Sequence, residues 1–391
     1  MTPSNRISTI SPSGDNGWGL FLKARSLVAQ GHDIVELTIG EHDVRTDPSI
    51  LAEMHNSAQS GHTGYAAVPG TPELRAAIAA RVEQQTGVPT TPDNVMVTPG
   101  GQSALFAAHM AACDTGDTAL YIDPYYATYP GTIRATGALA QSIETKATND
   151  FQPTESELTS HISGAKSLLI NTPNNPTGST YSPETLALIA RLCQENDLWL
   201  ISDEVYDTQI WEGTHLSPRA LPNMAERTLV IGSMSKSHAM TGSRLGWIIA
   251  PEGMIDHLIN LATHTTYGVP GYIQDAALFA LNQGAAFEDK IAEPFKRRRE
   301  IAQSIIAHYP KLSAITPKGG MYVMLDIRAT GLSGLEFATR LLDEKQIAVM
   351  PGESFGISAA GHLRIAMTIP DDRFETALNT MCQFATDLSH D

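Results

Sequence analysis

Between residues 95 and 250, short apolar runs rich in β-branched residues alternate with segments that carry helix signals. The runs lie at residues 95–98, 119–122, 168–171, 198–202, 228–231 and 247–250. Parallel strands need crossover connections and are buried on both faces, so this alternation is typical of a largely parallel sheet covered by helices. The sequence therefore predicts an α/β fold.

Helix boundaries are marked by capping residues. Thr71 and Pro72 form a start signal and Gly87 a stop signal, which predicts a helix between them. Further helices are predicted at residues 182–196 and 287–308. The basic run at residues 296–299 is interpreted as the solvated face of the last of these.

The order of predicted strands and helices changes toward the end of the chain. Short strand-like runs at residues 322–325, 348–350 and 362–366 surround a helical segment at residues 335–344. This pattern is typical of a smaller α+β domain. We predict a large domain of residues 46–285, and a small domain that combines residues 1–45 with residues 286–391.

Composition limits the possible partners and compartment. The 26 basic and 42 acidic residues give a net charge of −16, which disfavours a nucleic-acid partner. The three cysteines Cys113, Cys193 and Cys382 fit neither a disulfide framework nor a metal site. No apolar run approaches the ~18 residues of a membrane span. We predict a cytoplasmic protein with no membrane partner and no metal.

Polar motifs follow the predicted strands, where open α/β sheets bind their ligands. They are Gly100-Gly101-Gln102, Asn174-Asn175-Pro176-Thr177-Gly178, Asp203-Glu204-Val205-Tyr206, Ser233-Met234-Ser235-Lys236 and Arg244-Leu245-Gly246. Taken singly, most of them are also compatible with a tight turn, a rigid loop or a helix cap. The Asn-Asn-Pro-Thr-Gly string is the most specific, since chance produces it in roughly one chain in ten thousand.

In that order and spacing, the five motifs resemble those of the class I/II aminotransferases, the aspartate aminotransferase-like enzymes of pyridoxal-phosphate (PLP) fold type I. The resemblance extends from about Gly40 to Arg364. It implies a large domain with a mostly parallel seven-stranded sheet, and a homodimer with active sites at the subunit interface. It also implies transfer of an amino group from an L-amino acid to a 2-oxo acid.

The resemblance assigns the reactive residues. Lys236 would carry PLP as a Schiff base (an aldimine) and, once released, move the proton at the substrate Cα. Asp203 would pair with the pyridine nitrogen and keep it protonated. Tyr206 and Asn175 match the positions that hydrogen-bond the phenolate oxygen of the cofactor.

Other matching positions would hold the rest of the cofactor and the substrate. The cofactor phosphate is expected at a cup made by Gly100, Gly101, Gln102, Ser233, Ser235 and Arg244. Tyr126 would stack on the ring, Tyr65 would reach the neighbouring subunit's phosphate, and Tyr125 and Tyr129 are predicted to be core. Arg364 would clamp the substrate α-carboxylate, with Gly40 and Asn175 beside it.

Two departures bear on specificity. Many bacterial aspartate-type relatives carry Lys where Gln102 stands, and that Lys meets the second carboxylate of dicarboxylic substrates. The usual Gly-Glu-Pro-Asp motif is here Gly40-Glu41-His42-Asp43. We therefore expect a neutral, aromatic or basic amino acid to match or exceed aspartate as a donor.

Three other functions could use parts of the same sequence pattern. A PLP-dependent β-lyase that cleaves carbon–sulfur bonds would use the same Lys, Asp and Arg residues, and the sequence separates it poorly from a transaminase. A transcription regulator would need a basic helix-turn-helix module ahead of Gly40, and we expect none there. A dinucleotide-binding protein would need a Gly-x-Gly-x-x-Gly motif, which Gly100-Gly101 does not supply.

Overall fold

The computed structural model describes residues 1–11 and 17–389. Its strands are β1 (Val35–Leu37), β2 (Val95–Thr98), β3 (Thr118–Asp123), β4 (Leu139–Glu144), β5 (Ala165–Asn171), β6 (Trp199–Asp203), β7 (Thr228–Ser233), β8 (Gly246–Ile249), β9 (Ser313–Ile315), β10 (Tyr322–Asp326), β11 (Ile347–Pro351) and β12 (His362–Ala366).

Its helices are α1 (Asn5–Ser8), α2 (Trp18–Ala29), α3 (Pro48–Gln59), α4 (Pro72–Thr86), α5 (Gly100–Ala112), α6 (Tyr129–Thr136), α7 (Glu155–Thr159), α8 (Pro183–Glu195), α9 (Met234–Ser237), α10 (Glu252–Thr263), α11 (Gly271–Leu281), α12 (Ala285–Ile306), α13 (Gly334–Lys345) and α14 (Asp371–Leu388). Within the described ranges, none of these helices is long and apolar enough to cross a lipid bilayer.

The larger sheet contains seven strands in the order β2-β8-β7-β6-β5-β3-β4. Strand β8 is antiparallel to both of its neighbours, whereas the other neighbouring pairs are parallel. Strands β2, β6 and β7 are buried almost throughout, which explains their continuous apolar runs. The predicted α/β fold with a mostly parallel seven-stranded sheet is confirmed. Strand β4 was missed, because it lies at the sheet edge with alternate residues exposed.

Two of the predicted helices follow their capping residues. Helix α4 ends at Thr86, and the C-cap residue Gly87 adopts a left-handed conformation with φ 68°. Helix α8 begins after Ser182, whose hydroxyl accepts a hydrogen bond from the Thr185 N–H at 3.1 Å.

A second sheet has five strands in the order β1-β11-β12-β10-β9. Strand β1 runs parallel to β11, while β11, β12, β10 and β9 pair antiparallel. Residues near the N-terminus therefore share a sheet with the C-terminal part of the chain. The division into domains at residues 45/46 and 285/286 stays a prediction.

The interpretation of the basic run at residues 296–299 as a solvated face is wrong for half of its members. Arg298 and Arg299 are buried. Arg298 pairs with Asp43 at 2.6 Å and with Asp371 at 2.8 Å. The two arginines lie on the inner side of α12, where acidic side chains from distant parts of the chain compensate their charges.

Candidate active site

The main cleft lies where the parallel strands of the larger sheet end, and it has a volume of about 290 Å³. Asn171, Asp203 and Ser233 end β5, β6 and β7 and line one side. Met350 and Arg364 enter from β11 and β12 of the second sheet. The cleft therefore lies between the two sheets, at the strand ends that the sequence indicated.

Lys236 lies on the short helix α9, and its amine donates a hydrogen bond to the main-chain oxygen of Gly40. Burial lowers the pKa of Lys236, and the nearby guanidinium groups of Arg364 and Arg244 lower it further. A larger share of the amine is therefore neutral near pH 7 than in a solvated lysine. A neutral buried amine is the form that attacks a carbonyl group.

Asp203 is a buried carboxylate that forms no ion pair with a described residue. Its Oδ2 accepts a hydrogen bond from the Tyr129 hydroxyl at 2.7 Å, and its Oδ1 accepts one from the Val205 N–H at 3.3 Å. Burial raises the pKa of Asp203 to about 6, although the Tyr129 hydroxyl acts to lower it. The Asp203 carboxylate thus has no cationic partner among the described residues. A protonated ring nitrogen could serve as that partner.

A cup for an anion forms at the N-terminus of α5, where backbone N–H groups have no partner within the helix. Arg244 lies against this end of the helix, and a Cβ added to Gly100 would come within 2.4 Å of its guanidinium. The guanidinium donates to the Thr241 main-chain oxygen at 2.8 Å, and it forms no ion pair with a described acid. Ser233 and Ser235 also line this part of the cleft.

Arg364 is a buried cation without an acidic partner among the described residues. Its Nη1 donates to Asn175 Oδ1 at 2.9 Å and its Nη2 donates to the Thr38 main-chain oxygen. The guanidinium carbon lies 4.3 Å from the ring centre of Phe355 and 4.4 Å from that of Tyr322. Since Nε has no partner, the site has unused capacity for a carboxylate.

A group of hydroxyls connects these charged residues. The Tyr206 hydroxyl donates to the Tyr322 hydroxyl at 3.2 Å, and Asn175 Nδ2 donates to the same oxygen at 3.5 Å. Burial raises the pKa of Tyr206 well above its ordinary value. The Tyr206 phenol therefore stays protonated near neutral pH and serves as a hydrogen-bond donor.

The structure brings most of the predicted site residues to this one cleft. Those that line it are Gly40, Gly101, Gln102, Tyr126, Asn175, Asp203, Tyr206, Ser233, Ser235, Lys236, Arg244 and Arg364. Gly100 lies behind the cup, against Arg244. Tyr65 lies outside the cleft, since it is 93% exposed and contacts the edge of Tyr267 with ring centres 5.1 Å apart.

Sequence reasoning missed several lining residues. Tyr129 is buried as predicted, but its hydroxyl has the specific task of binding Asp203. Tyr322, Met350 and Phe355 also line the cleft, although their local sequences indicate only strands or apolar packing. The sequence contains no signal for these roles, because each depends on contacts with distant residues.

The side chains fit PLP group by group. Lys236 would hold its carbonyl carbon, the cup at α5 with Arg244 would hold its phosphate, and Asp203 would hold its ring nitrogen. The aromatic ring of Tyr126 would lie against its face. When bound, PLP supplies an electron sink for the negative charge that forms at the substrate Cα.

Comparisons with known proteins agree with this geometry. The family model for aminotransferase class I and II matches residues 32–381. An arginine–pyruvate transaminase of Pseudomonas aeruginosa is 37% identical over 389 residues, covering 99% of each chain. An aspartate/prephenate aminotransferase of Thermus thermophilus is 35% identical over 380 residues, covering 96% of each.

Solved structures show the same architecture. The aspartate aminotransferase of Thermus thermophilus with maleate superimposes with a TM-score of 0.92 at 33% identity, covering 98% of this chain and 99% of that one. These matches identify the reaction of the present chain as PLP-dependent transamination between an amino acid and a 2-oxo acid. The chain belongs to the class I and II aminotransferases, with the fold type I architecture of the aspartate aminotransferases.

Proposed function

We propose that this aminotransferase prefers donors with neutral, aromatic or basic side chains over aspartate, and uses pyruvate or 2-oxoglutarate as acceptor. The observation that carries the proposal is the number of cations in the cleft. Among the described lining residues the cations are Lys236, Arg244 and Arg364. The cofactor carbonyl, the phosphate and the α-carboxylate engage one each, so none remains for a second carboxylate of the substrate.

The contacts of Gln102 support the same conclusion. Its Nε2 donates to Thr132 Oγ1 at 2.7 Å, and its Oε1 accepts from Thr128 Oγ1 at 3.0 Å. The Thr132 hydroxyl donates its own hydrogen to the Thr128 main-chain oxygen at 2.9 Å, which fixes the amide orientation. A tethered neutral amide cannot replace the charge of a lysine. This omission costs a dicarboxylic donor roughly 1.5 to 3 kcal/mol of binding free energy.

Each reactive side chain has a proposed task. Lys236 holds the cofactor covalently and then moves the proton between the substrate Cα and the cofactor. Asp203, oriented by Tyr129, holds the ring nitrogen in its protonated form. Tyr206 and Asn175 donate hydrogen bonds to the phenolate oxygen of the cofactor, and Arg364 binds the α-carboxylate of donor and acceptor alike.

The proposed assembly is a homodimer. Tyr65 and Tyr267 form an exposed aromatic pair, with exposed fractions of 93% and 51%. An exposed pair of this kind favours contact with another chain. In the proposed dimer, the Tyr65 hydroxyl completes the phosphate cup of the neighbouring subunit.

The proposal also covers the domain boundaries and the cellular location of the enzyme. Residues 46–285 form the large domain, and residues 1–45 with 286–391 form the small one. The enzyme acts in the cytoplasm in amino acid metabolism, with no nucleic-acid or membrane partner.

The test is a screen of the twenty L-amino acids for conversion of the bound cofactor to its amine form, followed by kcat/KM for the best donors. Arginine is the first candidate, because it is the donor named for the Pseudomonas relative. We expect at least one neutral, aromatic or basic donor to match or exceed aspartate. A hundred-fold preference for aspartate over all such donors would contradict the proposal and indicate a second cation from the neighbouring subunit.

A further inference from the structure

A second buried carboxylate lies beside the cleft and has no task in the reaction described above. Asp123 ends β3 and is 1% exposed. It forms no ion pair with a described residue. Its Oδ2 accepts a hydrogen bond from the Ile357 N–H at 3.0 Å, and its Oδ1 accepts one from the Ser358 N–H at 3.2 Å. The carboxylate thus caps the short 3-10 helix Ile357–Ala359, which lies between β11 and β12.

Because Gly356 has no side chain, the Asp123 carboxylate can lie close to the backbone of residues 356–358. Gly356 has φ 116°, a left-handed conformation that favours glycine, and a Cβ added there would lie 2.1 Å from Asp123 Oδ1. The sequence thus places a glycine where any side chain would displace the carboxylate.

Two further hydrogen bonds tie the same segment to the larger sheet. The Tyr125 N–H donates to the Phe355 main-chain oxygen at 2.9 Å, and the Thr145 N–H donates to Ser358 Oγ at 3.2 Å. Residues 355–358 are therefore held from the ends of β3 and β4. The two bonds to Asp123 are the ones that involve an ionisable group, and when that carboxyl group is ionised they are about twice as strong as neutral hydrogen bonds.

The segment supports Arg364. Phe355 is 1% exposed, lines the cleft, and lies with its ring centre 4.3 Å from the guanidinium carbon of Arg364. A displacement of residues 355–358 would move this ring. The Arg364 guanidinium would then be held less firmly, because its Nε has no hydrogen-bond partner among the described residues. A bidentate carboxylate contact depends on the plane of the guanidinium, so its affinity depends on the ring that supports it.

We propose that Asp123 is a positioning residue that holds the Phe355 segment in place and thereby orients Arg364 for the α-carboxylate of the substrate. The inference rests on the proposed role of Arg364. A buried carboxyl group without a cationic partner is costly to desolvate, and its two backbone hydrogen bonds offset part of that cost. Burial raises the pKa of Asp123 to about 7, and the carboxylate of Glu144 adds to the rise, whereas the two N–H donors lower it.

The test compares Asp123→Asn with Glu144→Gln, which removes a neighbouring charge without touching residues 355–358. In Asp123→Asn we expect KM to rise about tenfold for every donor and for the acceptor, with kcat within about twofold and unchanged cofactor affinity. Glu144→Gln should not raise KM, because loss of the Glu144 charge lowers the pKa of Asp123 and favours its ionised form. Equal losses in kcat and in cofactor affinity, or an unchanged KM, would overturn the proposal.

A double-mutant cycle tests the same contact from the side of Gly356. Gly356→Ala should raise KM in the native background, but about tenfold less in an Asp123→Ala background, where no carboxylate opposes the new methyl group. The backbone strain of alanine at this φ is the same in both backgrounds and cancels. Additive effects would refute the contact.

The variant Arg364→Leu separates the two levels of the argument. An unchanged KM for all donors in this variant would overturn both the proposed clamp and the inference built on it. A raised KM in Arg364→Leu together with an unchanged KM in Asp123→Asn would overturn the role of Asp123 alone.

Discussion

The bond between Tyr129 and Asp203 allows a quantitative prediction for Tyr129→Phe. The hydroxyl lies 2.7 Å from Asp203 Oδ2, and both residues are buried. A hydrogen bond to a charged group contributes about 1.5 to 3 kcal/mol, which corresponds to roughly one to two pKa units at about 1.36 kcal/mol per unit. Since burial already raises the pKa of Asp203 to about 6, the variant should move it above 7.

The direction of the pH dependence of cofactor binding follows from the charge state of Asp203. Asp203 pairs with a protonated ring nitrogen only as a carboxylate, so cofactor affinity weakens as pH falls through its pKa. At pH 7 the ionised fraction should fall from about nine-tenths in the native protein to below one-half in Tyr129→Phe. Cofactor binding at neutral pH should then weaken several-fold, and the loss should diminish above about pH 8.5.

The assay is a titration of cofactor-free protein with PLP at pH values from 5.5 to 8.5, followed by absorbance. Tyr125→Phe is the matched control, because its ring contacts Tyr121 and its hydroxyl does not bind Asp203. A shift of the pH midpoint below about 0.3 unit in Tyr129→Phe, or an equal shift in the control, would refute the reasoning.

The remaining predictions concern the electron-withdrawing role of the cofactor ring, the choice of donor and the homodimer. Asp203→Ala should retain some cofactor but lose at least ~10³-fold in turnover, and near-normal steady-state rates would refute its role. Gln102→Lys should raise kcat/KM for aspartate about ten- to a hundred-fold without a matching gain for arginine, and an unchanged ratio would contradict the specificity argument. Mixed dimers of Tyr65→Phe with Lys236→Ala chains should regain activity by forming one intact site, whereas a fully active monomer in sedimentation would exclude the dimer.

The strands that line the cleft could be predicted, because burial on both faces leaves an apolar run followed by a polar strand end. Strand β12 coincides with the predicted run at residues 362–366, and β2 with that at residues 95–98. Edge strand β4 left no such run, since its alternate exposed positions allow polar residues. Strand β1 is only three residues long, and its partner β11 lies far along the chain.

The site residues that could be predicted are those within local motifs. Tyr129 and Tyr322 were missed because their partners lie 74 and 116 residues away along the chain, at Asp203 and Tyr206. The environment of Arg298 was misjudged for the same reason, since its partner Asp43 is 255 positions distant. Local patterns indicate which residues can perform chemistry, whereas only the tertiary contacts show what orients them.

The proposed chemistry requires that the buried amine of Lys236 carries the cofactor, and chemical trapping can establish which lysine does so. Borohydride reduction of the purified yellow protein should fix PLP permanently to one lysine, which peptide mapping by mass spectrometry identifies. We predict a single modified peptide that contains Ser233, Met234, Ser235 and the adduct at Lys236. An adduct at any other lysine, with Lys236 unmodified, would contradict it.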